Sequence, residues 1–281
     1  MGPRALHACS QEQLTTLLFF MRKRSSGRLP CFKNHKRGDR VPFAHFQHNE
    51  HNDIVSRYGR VILMLMELFH VLNRGVEKRN IFLDDKDRFR FVHGLLLFNT
   101  TRPANNTTYL IENNDIVSRY TERVVDIHGW CLMKNHYHLL LSERVESGIS
   151  ILIRKLNIGY AKYFNERYKR SGYLFQGRTK KIRVNSEAYF MHILNYVHFN
   201  PLDYMQEGRA WRFHGIKNPA RAHAHLMKYR WSSYQDYCGK PNFPSILATD
   251  LFGESPAKFK RHIIDYSGTN HADVPTQFLL E

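Results

Sequence analysis

The feature that most constrains this 281-residue chain is the order in which two hydrophobic periods alternate along it. Val61 to Leu72 is a β-branched and aliphatic run closed by the turn signal Asn73-Arg74-Gly75, which predicts a buried strand. Asp84 or Asp85 then caps a helix whose Phe89, Val92, Leu95 and Leu96 recur at helical spacing. Val124 to Met133 and His136 to Leu141 read as two strands joined at the turn pair Lys134-Asn135. Ser147 to Tyr168 is a long helix, with Ile149, Leu152, Ile153, Leu156, Tyr160, Tyr163 and Phe164 on one face. Lys180 to Val184 is a short strand. From Ser186 a helix with Phe190, Ile193, Leu194 and Val197 inward runs to Asn200, where Pro201 stops it.

The order βαββαβ plus one further helix is an α+β, ferredoxin-like pattern: an antiparallel sheet with helices on one face. In that topology the first and third strands are central, so the His136 strand runs through the middle. The expected organisation is a basic extension over 1–60, poorly ordered, a catalytic domain over 61–205, and a C-terminal extension over 206–281. Within it, residues 240–281 form an appendage in which Phe259, Ile263 and Ile264 suggest one short helix. A polar insertion spans Asn99 to Asn114. The heptapeptide Asn52 to Tyr58 recurs unchanged as Asn114 to Tyr120, too short for a repeat architecture and without a physical account.

Forty-two Lys+Arg against 25 Asp+Glu leave a net charge of +17, which points to a polyanionic partner. No apolar run approaches the roughly 18 residues of a membrane span, and no basic n-region precedes the short apolar run at Leu17, so a cytoplasmic protein is expected. Cys9, Cys31, Cys131 and Cys238 form no C-x-x-C pair, arguing against a disulfide framework or thiolate zinc site. The positive excess gathers in two blocks. Arg22 to Arg40 is a solvated arm, whereas Arg154 to Arg183 interleaves Lys and Arg with Tyr160, Tyr163, Phe164, Tyr168, Tyr173 and Phe175 against one acid, Glu166. Cations for phosphates beside aromatic faces for bases suit single-stranded nucleic acid, although helical spacing places half of those rings in the core. Arg74, Arg154, Lys155, Lys162, Arg178, Lys180 and Arg183 are the candidate nucleic-acid contacts, a solvated basic face being the alternative for each.

The candidate chemistry begins on the His136 strand. Side chains two apart share a strand face, so His136 and His138 project side by side with Tyr137 opposite, and two such imidazoles can chelate a divalent ion. Alone, H-x-H is a weak signal in a chain with 17 histidines. On the helix from Ser186, Tyr196 lies roughly 110° from the centre of the apolar face and Asn200 one turn further on the same side, neither placed like a core residue. A tyrosine beside an ion-held phosphate can act as a nucleophile, and an Asn carbonyl can complete a hard ion's sphere. A rim-packed Tyr and a helix-capping Asn are the plainer alternative.

Six ordered motifs then carry a resemblance. These are His70-Val-Leu-Asn73-Arg74-Gly75, Gly129 to Leu141 with Asn135-His136-Tyr137-His138, Tyr163-Phe164-Asn165, Gly172 to Arg178, Tyr196 to Pro201, and Trp231-Ser232-Ser233-Tyr234. Together they resemble the single-tyrosine HUH transposases of bacterial insertion sequences, and within them the REP-associated tyrosine transposases, from about His70 to about Gly239. The resemblance implies that His136 and His138 are the metal pair, Asn200 the third ligand and Tyr196 the nucleophile, with Mg²⁺ or Mn²⁺ as cofactor. The implied reaction cleaves single-stranded DNA, often beside a hairpin, giving a 5′-phosphotyrosyl enzyme and a free 3′-hydroxyl that can reverse the step. The partner would be single-stranded or hairpin DNA in a bacterial, nucleoid-associated setting. Family members are either monomers or dimers with shared active sites, so a homodimer is left open. Tyr137 stands where an aliphatic residue is usual and Lys134 where proline is common. His192 and His198 flank Tyr196, and residues 1–60 match nothing in the family, so they are either a basic extension or precede a true start near Met64 or Met66. Two other readings stand beside the active transposase: a catalytically silent regulator that binds hairpin DNA, and a metal hydrolase using water, which would leave Tyr196 without a role.

Overall fold

The computed structural model describes residues 66–103, 122–206, 211–212, 214–252 and 255–268. The basic arm, both copies of the heptapeptide, most of the polar insertion and positions 61–65 of the expected first strand lie outside the described residues. Glu67–Glu281 clusters as one compact unit.

Four strands form one sheet in the order β2-β3-β1-β4, every neighbouring pair antiparallel: β1 (Leu68–Arg74), β2 (Val125–Leu132), β3 (His136–Glu143) and β4 (Lys180–Arg183). This is the expected βαββαβ arrangement, with β1 and β3 central. Strand β1 starts at Leu68 and runs through Asn73 and Arg74, residues whose composition had suggested a turn. Gly75 makes the break instead: its N–H donates to the Asn135 carbonyl at 2.8 Å, and a Cβ there would lie 2.3 Å from the Arg79 carbonyl oxygen.

Helix α1 (Asp85–Leu97) is capped by Asp84, whose carboxylate accepts from the Asp87 N–H at 3.1 Å. Its buried apolar side chains are Phe91, Val92 and Leu95, while Phe89 and Leu96 are only partly covered, Phe89 packing against Trp231. Helix α2 (Gly148–Arg167) buries Ile149, Leu152, Ile153, Leu156, Tyr160 and Phe164. Both helices pack on the face made by Phe69, Val71, Trp130, Leu132, Tyr137, Leu139 and Leu141. Asp87 joins them, accepting from the Leu83 N–H at 2.8 Å, Tyr168 Oη at 2.9 Å and Arg167 Nη1 at 2.6 Å.

The two helices of the βαββαβ unit thus share one face, as expected, and the further helix takes the other. Helix α3 (Glu187–Phe199), capped by the Ser186 hydroxyl, packs on the opposite face, against β2 and β3. The approach is close: a Cβ on Gly129 would lie 2.9 Å from Leu194 Cδ1. The expected strand and helix boundaries otherwise hold to within a few residues.

Beyond the turn Asn200–Tyr204 come α4 (Pro219–Lys228), α5 (Tyr234–Tyr237) and α6 (Pro256–Gly268). The Trp231-Ser232-Ser233-Tyr234 motif runs along β2, with Leu132 N–H donating to the Trp231 carbonyl and Ser233 N–H to that of Trp130. Helix α6 covers the outer side of α3: Phe259 meets His198, and Tyr266 meets Phe199 and His192.

His128 sits at the irregularity in β2, its nitrogens bonded to the Ala248 carbonyl at 3.0 Å and Ser142 Oγ at 2.8 Å. Desolvation pulls this imidazole down from 6.5 to about 4, the Ala248 bond and nearby Asp126 and Asp250 offsetting it only in part. The unfolded imidazole takes up its proton first, so this group's stability is full above pH 6.5 and lost as pH falls toward 4. By pH 5, 1.5 units below the ordinary value, about 2 kcal/mol of it is lost, at about 1.4 kcal/mol per unit. Urea unfolding at pH 7 and pH 5 should show a His128→Asn protein with a flatter pH dependence than the parent; parallel curves would contradict the assignment.

Candidate active site

Strand alternation sets the site. Tyr137 points into the helix-covered core, donates to Asn157 Oδ1 at 3.0 Å and is pushed by burial up to about 12, while His136 and His138 face α3. The two imidazole centroids are 4.9 Å apart.

Each ring is oriented through Nδ1. His136 Nδ1 lies 2.6 Å from Asn135 Oδ1; that oxygen can only accept, so the proton is on Nδ1. His138 Nδ1 lies 2.9 Å from Nε2 of His70 on β1, and His70 Nδ1 lies 3.1 Å from Tyr189 Oη on α3. This series of bonds runs in either direction. Donation from His138 through His70 to the Tyr189 oxygen leaves the lone pair of His138 on Nε2. The Nε2 atoms of His136 and His138 are both buried. Two imidazoles held by Nδ1 with Nε2 turned into the site fit the donor set of a divalent ion, because the far ring nitrogen fixes tautomer and direction.

Tyr196 and Asn200 depart from the expectation that neither sits like a core residue: Tyr196 is 7% exposed and Asn200 0%. The reason lies outside α3, which is sandwiched between the sheet and the segment after Tyr204. The Tyr196 ring stands edge-on to His70 and His138, 5.7 Å from each centroid, with Trp211 5.7 Å away. Arg212 Nη1 donates to Tyr196 Oη at 3.2 Å, and Arg212 Nη2 donates to Asn200 Oδ1 at 3.0 Å and Asp203 Oδ2 at 2.8 Å. Asn200 Nδ2 caps its own helix by donating to the Tyr196 carbonyl at 2.9 Å. The oxygen expected to reach a metal is thus engaged by a guanidinium, and the ion's fit rests on the two histidines. Among the described residues, no group of three or more His, Cys, Asp or Glu is arranged to hold a metal.

The flanking histidines take other partners. His192 meets Tyr266 Oη at 2.8 Å; His198 is buried against Ser233 Oγ at 2.8 Å, and desolvation lowers it to about 3. His70, Tyr189, Asp203, Trp211 and Arg212 belong to the site and were not among the sequence candidates. His70 alone had a signal, opening the first ordered motif.

The basic candidates divide between the two faces. Arg74 pairs across the ladder with His136, and Lys180 with Leu72, so both share the histidine face. Arg183 alternates to the other face and pairs with Glu67 at 3.0 Å, while Arg154 and Lys162 are exposed along α2, on the far side of the sheet. Lys155 is spent on the carbonyls of Thr100 and Arg102 that follow α1. Arg178 is exposed just before β4.

Residues 97–200 match the family model described as IS200-like transposase, a stretch holding His136, His138, Tyr196 and Asn200. The motif-based resemblance to transposases is thus met by a family match over residues 97–200. No curated protein matches the chain. Among solved structures, one described as a REP-associated tyrosine transposase bound to a REP hairpin is 14% identical, with a TM-score of 0.39 over 68% of this chain and 90% of that one. No described helix is long and apolar enough to cross a membrane.

Proposed function

We infer that the protein is a metal-dependent transposase that cleaves and rejoins single-stranded, hairpin-associated DNA through a 5′-phosphotyrosine on Tyr196. The observation that carries this reading is the meeting of a strand-borne histidine pair with a tyrosine from a separate helix, 5.7 Å between the His138 and Tyr196 rings. A water-activating hydrolase would have no use for that tyrosine.

His136 and His138 would hold the ion, Mg²⁺ or Mn²⁺, which when bound polarises the scissile phosphate. The remaining work falls to the chain. His70 and Asn135 hold the two imidazoles in register. Arg74 and Lys180, on the same face, offer charge to the flanking phosphates. Tyr196 Oη forms the bond to phosphorus as the bond to O3′ breaks, so bond energy is kept for rejoining.

The test mixes the full-length protein with end-labelled hairpin oligonucleotides from repeats flanking its own gene, with Mg²⁺, Mn²⁺ or EDTA, and resolves products on a denaturing gel. A DNA–protein adduct with metal, absent in EDTA and in His136→Ala, is expected. Retarded complexes on a native gel without any adduct would instead favour the silent DNA-binding regulator.

A further inference from the structure

Arg212 lies beyond the stretch matched to the transposase family, yet its guanidinium donates a hydrogen bond to the Tyr196 phenolic oxygen. Its placement is over-determined. The side chain is 8% exposed and its ion pair with Asp203 is 9% exposed on the carboxylate side. Asp203 is itself fixed by Trp211 Nε1 at 3.0 Å, and the guanidinium lies over the Trp211 ring at 4.5 Å and the Tyr196 ring at 5.5 Å. Asn200 completes the cradle through Oδ1. A planar fork held by a carboxylate and an amide, with one arm on a phenol, is an arrangement lysine cannot copy.

Resting on the transposase reading above, we propose that Arg212 is a catalytic residue: it binds the Tyr196 oxygen more strongly as phenolate than as phenol, and Asn200 and Asp203 are the positioning residues that aim it. In cleavage the phenol loses its proton to solvent, the Tyr196 O–P bond forms, and the P–O3′ bond breaks with its electron pair passing to O3′, which takes a proton from solvent. In rejoining O3′ attacks phosphorus and loses its proton to solvent. The Tyr196 O–P bond breaks with its electron pair on the phenolic oxygen, and that leaving phenolate is the state a guanidinium stabilises most. Charge-assisted donors aimed at a developing oxyanion typically contribute about 10²-fold or more in rate. Asn200 then acts by steering Arg212 rather than as a metal ligand.

The experiment measures single-turnover adduct formation and, separately, hairpin affinity for the parent, Arg212→Ala, Arg212→Lys, Asn200→Asp and Tyr196→Phe. Arg212→Ala should form adduct about 10²-fold more slowly with hairpin affinity within about twofold, and millimolar guanidinium should restore part of the rate. Arg212→Lys should be nearly as slow. Asn200→Asp, which keeps an acceptor for the guanidinium, should stay within about tenfold of the parent. If Arg212→Ala cannot be folded, the lysine variant carries the test. Adduct formation by Arg212→Ala or Arg212→Lys as fast as the parent overturns the proposal, and a faster rate would mean that the guanidinium covers the phenol. An adduct that persists in Tyr196→Phe would overturn the transposase reading itself, a result distinct from either.

Discussion

Tyr196→Phe is expected to reduce covalent adduct formation by at least about 10³-fold, the scale of losing a nucleophile from a site that otherwise stays assembled. The substitution removes one oxygen and leaves the ring. The edge contacts to His70, His138 and Trp211 persist, and Arg212 keeps its bonds to Asp203 and Asn200. Stability should therefore change by about 1 kcal/mol or less, the net worth of one hydrogen bond. Hairpin binding should survive, since the proposed phosphate contacts, Arg74 and Lys180, are left untouched. Pairing the denaturing gel with a urea melt separates the two effects. Loss of adduct together with loss of the fold would assign Tyr196 to the core, as its 7% exposure by itself would suggest.

Asp87→Ala should have the largest effect on stability, about 3–5 kcal/mol, from three polar groups that lose their acceptor at about 1–3 kcal/mol each. The carboxylate is 0% exposed at the start of α1 and receives the Leu83 N–H, the Tyr163 and Tyr168 hydroxyls and Arg167. Arg167 retains Asp84, which lies at the surface, so the cost falls on the two tyrosine hydroxyls and the orphaned N–H. Asp87→Asn should fall between, because an amide keeps an acceptor oxygen but turns an NH₂ toward donors. Chemical unfolding gives the number. A loss under about 1 kcal/mol would mean that water replaces the carboxylate and that α1 and α2 are joined by apolar packing alone.

The order of elements is legible in the sequence because each element depends on a local period. The capping of α1 by Asp84 and of α3 by Ser186, the end of α3 at Pro201 and the common face of His136 and His138 are all relations across four residues or fewer. The helix wheel failed for Tyr196. It measures an angle to one apolar face, and α3 has two covered sides, the second supplied by residues up to 74 positions later, as where His192 meets Tyr266. The basic block 154–183 failed as a single surface for a related reason. Strand alternation and the sheet itself divide it, leaving Lys180 on the histidine face, Arg183 on the other, and Lys155 tied to carbonyls.

By itself the sequence determined the β and α segments, the topology they imply, and the shared strand face of His136 and His138, since these follow from spacings of two and of three to four residues. Tertiary structure alone decided that the sheet is covered on both faces, that His70 backs His138 across 68 positions, and that Arg212 donates to the Asn200 side-chain oxygen. Those outcomes depend on which distant surfaces meet. Contact between them is settled by packing and by the need to pair buried charge, for which no local period exists.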